Sequence, residues 1–139
     1  MTAPVFAVSL APPTWTAQLI DSNGETVSTI GQSVASLVNL RVVVHATVNG
    51  NAAYNPTADV VQFGFQNEAT NLQSVAPSSW STGSWETDVI GGLTVYVARI
   101  LVGPGGTFVP SAATNYWLWV KVTDSPEIPV MFVGELRVT

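Results

Sequence analysis

The chain has 139 residues, 47% of them hydrophobic and only 9% charged, with four basic and nine acidic side chains for a net charge of −5. That length suits one domain with its own core, while four scattered cations (Arg41, Arg99, Lys121 and Arg137) cannot form the basic stripe needed to neutralise phosphates, which argues against nucleic acid and anionic membranes. Without cysteine there is no disulfide or thiolate chemistry, and no run approaches the roughly eighteen apolar residues of a membrane span.

Residues 1–14 stand apart as an extended N-terminal arm ahead of a domain over 15–139. The arm holds Pro4, Pro12 and Pro13, and Phe6, Val8 and Leu10 alternate with Ala7 and Ser9 as on a strand with one apolar edge. It reads either as an arm that adds to a neighbour's sheet or as a first strand folded onto its own domain. Trp15–Ile20 is the next strand, closed by the tight-turn signal Asp21-Ser22-Asn23-Gly24 and followed by a strand over Glu25–Ile30. In Leu40–Val48, Leu40, Val42, Val44, Ala46 and Val48 share one face and Arg41, Val43, His45 and Thr47 the other. A loop from Asn49 to Asp59 leads to Val60–Gln66, whose Val61, Phe63 and Phe65 are expected inside.

Asn67–Gly92 is rich in Ser, Thr and Gly and reads as a long connection with room for short strands. Strands over Thr94–Val102, Tyr116–Thr123 and Val130–Val138 complete the domain, bounded by Gly103-Pro104-Gly105-Gly106 and Asp124-Ser125-Pro126-Glu127. Helix signals are almost absent. Seven or eight short strands with regular turn signals predict an all-β fold, an immunoglobulin-like antiparallel β-sandwich, without the Cys–Trp–Cys signature of a true immunoglobulin domain.

The residues that carry chemistry are few. His45 is the single histidine and no Gly-x-Ser-x-Gly elbow accompanies it. Ligands for zinc are missing. Glu86 and Asp88 would share a face of a strand, but two acids in a polar segment are usually solvated rather than catalytic. Asp21–Glu25 lacks the ligand spacing of a calcium loop, and Gly103–Gly106 precedes no helix that would complete a phosphate cradle. The expectation is no enzyme, no cofactor and no metal.

The aromatic residues say more. In Tyr116–Thr123, Tyr116, Leu118, Val120 and Val122 point one way and Trp117, Trp119 and Lys121 the other. With the first set in the core, Trp117 and Trp119 lie on an outer sheet face, to which Met131 and Val133 of the last strand would add, with Glu135 near Lys121. Such a patch marks an interface, unless the 67–92 connection, with its own Trp80 and Trp85, folds back over it. Phe6, Val8, Leu10, Trp117, Trp119, Met131 and Val133 are therefore the candidate protein-interface residues.

The runs "TWTAQLIDSNG" (14–24), "NPTADVVQFGF" (55–65), "GSWETD" (83–88), "VARILVGPGG" (97–106), "YWLWVKVTDSPEIPV" (116–130) and "GELRVT" (134–139) resemble small β-sandwich virion structural proteins of tailed actinobacterial phages. The resemblance implies a structural part of the particle: a capsid decoration protein, a head–tail connector component or a tail element. Its implied partners are the major capsid protein or other virion proteins, with homo-oligomers expected. Residues 1–10 lack the features of a signal peptide, which agrees with synthesis in the bacterial host cytoplasm before assembly into the virion. The low charge agrees with a surface covered by partners. The competing class is a carbohydrate-binding adhesin, with Trp117 and Trp119 stacking a sugar ring beside Gln62 and Gln66. A glycan platform must stay open, whereas an assembly face must be covered.

Overall fold

The computed structural model of the protein describes residues 14–47, 54–124 and 127–139. Nine strands form there: β1 (Thr14–Ile20), β2 (Thr29–Gln32), β3 (Val38–Thr47), β4 (Val60–Asn67), β5 (Ser81–Thr82), β6 (Ser84–Ile90), β7 (Leu93–Val102), β8 (Asn115–Thr123) and β9 (Val130–Val138). They divide into a four-stranded sheet ordered β1-β3-β7-β6 and a five-stranded sheet ordered β2-β9-β8-β4-β5. The two sheets face each other across one core. Every strand pair is antiparallel except β2 with β9, which is parallel.

Period-2 alternation explains most of this. Leu40, Val42 and Val44 of β3, Val61 and Phe63 of β4, and Leu118, Val120 and Val122 of β8 are buried in a single cluster, joined by Ala98, Ile100 and Val102 of β7. Each of these strands turns alternate residues inward, so one apolar set per strand suffices to hold two sheets together. Phe65 is less deeply buried than expected, yet its ring stacks on Phe108 at 3.8 Å and packs against the core.

Four details depart from the sequence reading. The strand expected over Glu25–Ile30 is instead β2, which starts at Thr29. Residues 25–27 first run back beside β1, with Thr26 bridged to Ile20 and the Val27 N–H donating to the Leu19 carbonyl. The chain then changes sheets, so β2 meets β9 in the same direction. The connection over 67–92 contains a full edge strand, β6, which its Ser and Thr content had obscured. Gly83 separates β5 from β6, and there the chain passes from the five-stranded sheet to the four-stranded one.

The fourth departure lies in β9. Leu118 pairs with Gly134 and Trp119 with Phe132, which leaves Val133 as an extra residue in a β-bulge. The bulge suits Gly134, with φ +150° and a carbonyl, that of Ser28, only 2.6 Å from where a Cβ would stand. The inward–outward alternation shifts across it. Thr14, placed with the arm, is the first residue of β1. Residues 1–13, with Phe6, Val8 and Leu10, lie outside the described residues, as does Val48.

Candidate interaction surfaces

The outer face of the five-stranded sheet is set by the pairings of β4, β8 and β9. Gln66, Trp117 and Glu135 form one row, Gly64, Trp119 and Phe132 the next, and Gln62, Lys121 and Val130 the third. Trp117 and Trp119 thus face outward as expected. Their neighbours are not those expected. Met131 pairs with Val120 and packs against the core, and Val133 is itself a core residue. The bulge reverses the parity on which both had been assigned, and the outer aromatic from β9 is Phe132, whose ring lies 6.0 Å from Trp117 and 5.6 Å from Trp119 in edge contacts. Glu135 stands beside Trp117 rather than Lys121.

This face is roofed by residues 68–80. The Trp117 indole N–H donates to the Asn71 carbonyl at 3.2 Å, and the Lys121 ammonium sits 4.6 Å from the centre of the Trp80 ring. Gly64 makes the close approach possible: a Cβ there would lie 2.4 Å from Cγ of Pro77 and 3.1 Å from the Trp80 ring. Trp119 is consequently 9% exposed. Beneath the roof Nε1 of Trp119 and Oε1 of Gln66 are buried with no partner among the described residues. Trp85, grouped with Trp80 in the sequence reading, belongs to β6 and donates its indole N–H to the Asp59 carbonyl at 2.8 Å. A sugar platform on Trp117 and Trp119 is therefore closed off by the chain itself.

The roof is anchored at its start by Glu68, whose carboxyl meets that of Glu135. Burial, then the hydrogen bond to Glu135 and its charge, push Glu68 up to about 7, with Arg137 pulling the other way. Glu135 is held below its ordinary value, first by the hydrogen bond with Glu68 and then by Arg137, which donates to it at 2.7 Å.

On the outer face of the four-stranded sheet, Arg41 of β3 donates to Glu86 at 2.7 Å and to Asp88 at 2.5 Å across β7. The carboxylate pair singled out in the sequence is thus engaged by a guanidinium, whose planar fork serves both acids. The network lies over Val97, which is fully buried although it points away from the core cluster. His45 sits on this face opposite Thr16 of β1. Among the described residues no group of three or more His, Cys, Asp or Glu side chains is placed to hold a metal, and no helix is long and apolar enough to cross a membrane.

The ends of the sandwich carry what the faces do not. Val60 opens β4, Val130 opens β9 with Ile128 just before it, and Val89 and Leu93 flank the Gly91-Gly92 turn between β6 and β7. The strand directions place all five at one end. Their exposures run from 39% for Val130 to 70% for Leu93. At the same end the Tyr54 hydroxyl lies 3.3 Å from Asp59 and 3.2 Å from Asp124. Burial, followed by those acids, raises Tyr54 to about 12, while burial and Asp124 raise Asp59. The sequence reading missed this apolar end; its signal was the pair of aliphatic residues astride Gly91-Gly92.

At the opposite end Tyr116, second residue of β8, accepts a hydrogen bond on its hydroxyl from the Ser111 N–H at 2.9 Å. A tyrosine that enters a strand and reaches back to the backbone just upstream is the tyrosine corner of immunoglobulin-like sandwiches. The strand order agrees: β1, β3, β7 and β6 take the places of strands A, B, E and D, and β9, β8, β4 and β5 those of G, F, C and C′. The protein is an immunoglobulin-like β-sandwich whose core is aliphatic and aromatic, with Leu118 two residues after the corner tyrosine where antibody domains carry a cysteine.

No protein family and no curated protein matches the chain. Among solved structures it is similar to a chimeric titin Z1Z2 functionalised with an exogenous KLER peptide from decorin, at 17% identity over 94% of this chain and 98% of that one, with a TM-score of 0.36. A likeness at that level adds nothing to the fold assignment, which stands on strand order and the tyrosine corner.

Proposed function

We propose that the protein is a structural component of a tailed-phage particle, a decoration protein that binds the capsid surface and acts by occupancy rather than catalysis. The observation that carries this reading is the apolar end: Val60, Val89, Leu93, Ile128 and Val130 are exposed together on a molecule with only thirteen charged side chains. Large aliphatic side chains grouped on a surface mark an interaction site, and burying each contributes about 1.5–3 kcal/mol before association costs. The resemblance of the sequence to phage virion proteins supplies the kind of partner, the major capsid protein. Many copies on one shell would add avidity to a modest contact. The roof over Trp117 and Trp119 weighs against the adhesin alternative, since it covers the platform that a sugar would need.

The test is co-sedimentation with purified capsids. Val89→Ser with Leu93→Ser alters two residues beside an exposed turn, so folding is preserved, and occupancy is expected to fall at least tenfold. Unchanged occupancy would remove the apolar end from the interface. Failure of the unaltered protein to bind capsids would end the particle assignment.

A further inference from the structure

Below Ile20 the sandwich formed by the described residues is open along one side. Pairing of β1 with β3 stops at Ile20↔Arg41, so among the described residues Val38, Asn39 and Leu40 of β3 have a strand neighbour only on the β7 side. The chain has left the first sheet by then, and β2, the outermost strand of the second, is paired only with β9. Between these two free edges runs a groove of about 610 Å³, lined by Val27, Ile30, Val38 and Leu40 and roofed by Ile20 and the Asp21-Ser22 turn. Val38 is an inward-pointing residue by its place in β3, yet it is 38% exposed, with no strand among the described residues opposite it.

We propose that this groove is the acceptor for the segment Val5–Leu10 of a second copy of the chain, added as a short strand on the β3 edge; the proposal rests on the assembly reading above. Three observations carry it. First, the groove offers what an added strand needs: unpaired backbone on its walls and apolar side chains at its base. Second, the chain contains a matching piece. Thirteen residues precede Thr14 without one charged side chain, and Val5–Leu10 is free of proline and places Phe6, Val8 and Leu10 on one edge. Two of those three side chains span the length of the exposed β3 edge.

Third, reach decides for another copy. Thr14 pairs with Thr47 at the far end of β1, six residues from Ile20, a distance of about 20 Å at strand rise. Leu10 is four residues before Thr14, and four fully extended residues cover at most about 14 Å. Leu10 therefore cannot enter its own groove, Val8, six residues before Thr14, extends no further than its mouth, and two side chains of the set can fill it together only on a neighbour.

The chain has no cysteine, so introduced thiols give an unambiguous answer. Full-length Val8→Cys and Val38→Cys proteins, with tags of different mass, are mixed and treated with a short bis-maleimide. The expected result is a mixed covalent dimer at least tenfold above that from Val8→Cys with Thr87→Cys, a control on the opposite edge strand. Val38→Arg in the full chain should also weaken concentration-dependent self-association in sedimentation. Equal yields from both mixtures would overturn the proposal. So would a Val8→Cys/Val38→Cys double variant that closes within one copy while the mixture gives no dimer. A mixed dimer from a protein that ignores capsids would keep this acceptor site and discard the particle assignment; capsid binding without the dimer would do the reverse.

Discussion

Tyr116 carries two loads at the entrance of β8. Its ring packs edge-on to Phe108 at 5.3 Å and to Phe65 at 6.5 Å, and its hydroxyl satisfies the Ser111 N–H in the turn before the strand. Tyr116→Phe keeps the packing and removes only the acceptor, so unfolding in urea is expected to show a loss of about 0.5–1.5 kcal/mol. Ser111→Ala leaves that backbone bond in place and should stay within about 0.5 kcal/mol of the parent. An equal effect of the two changes would show that the corner bond contributes nothing. Arg41 plays a comparable part on the other sheet. Its guanidinium is held charged chiefly by Glu86 and against the cost of burial, and Asp88 is lowered by the Val89 N–H and by Arg41. These neighbours turn a carboxylate pair that could have been read as chemistry into a brace across three strands.

At the scale of elements, the pairing of β8 with β9 and the 68–80 roof belong together. The bulge at Val133 puts Phe132 beside the two outward tryptophans, and the roof reaches this face at Trp117, Lys121 and Gly64. Gly64→Ala tests the closure directly. Its methyl group would meet the Pro77 ring, which cannot rotate away, so the roof must lift or the strand must shift, at a cost of about 1–3 kcal/mol. Faster amide exchange at Thr70 and Val75, whose N–H groups donate to the Asn67 and Leu72 carbonyls, is expected, with β3 and β7 unchanged. Unaltered exchange there would mean that the roof is held from elsewhere. The alternation in β8 was legible in the sequence because each residue reports its own face. The bulge was not, since Val133-Gly134 reads as ordinary strand until the Ser28 carbonyl is seen to leave no room for a side chain. β6 was missed for a related reason: an edge strand with one face in solvent can be built from Ser, Thr and acids.

For the whole molecule, the Glu68–Glu135 pair ties stability to pH. Glu68 rises from an ordinary value near 4.5 to about 7 in the folded protein, so folding favours its protonated form. Its contribution is complete below the unfolded value and is lost as pH climbs toward 7. Glu135, held low, acts in the opposite sense and only at more acidic pH. The urea midpoint of the native chain should therefore fall between about pH 4.5 and pH 7, and Glu68→Gln, which cannot ionise, should flatten that slope. Identical slopes for the two proteins would show that the pair does not control stability.

The division between sequence and tertiary structure follows from the range of the interactions involved. Residue alternation alone determined the class of fold and most of the core, because a period of two in β3, β4 and β8 records which side of each strand meets water. It also placed Trp117 and Trp119 on the outer face. Tertiary structure decided everything that depends on a partner distant in the chain: the crossing of the chain to the second sheet after β1, the parallel pairing of β2 with β9, the turning of Met131 and Val133 to the core side, and the covering of the outer tryptophan face by residues 68–80. It also decided where apolar surface remained open, at the Val89 and Leu93 end and in the groove beside Val38, since exposure is set by what the rest of the fold fails to cover.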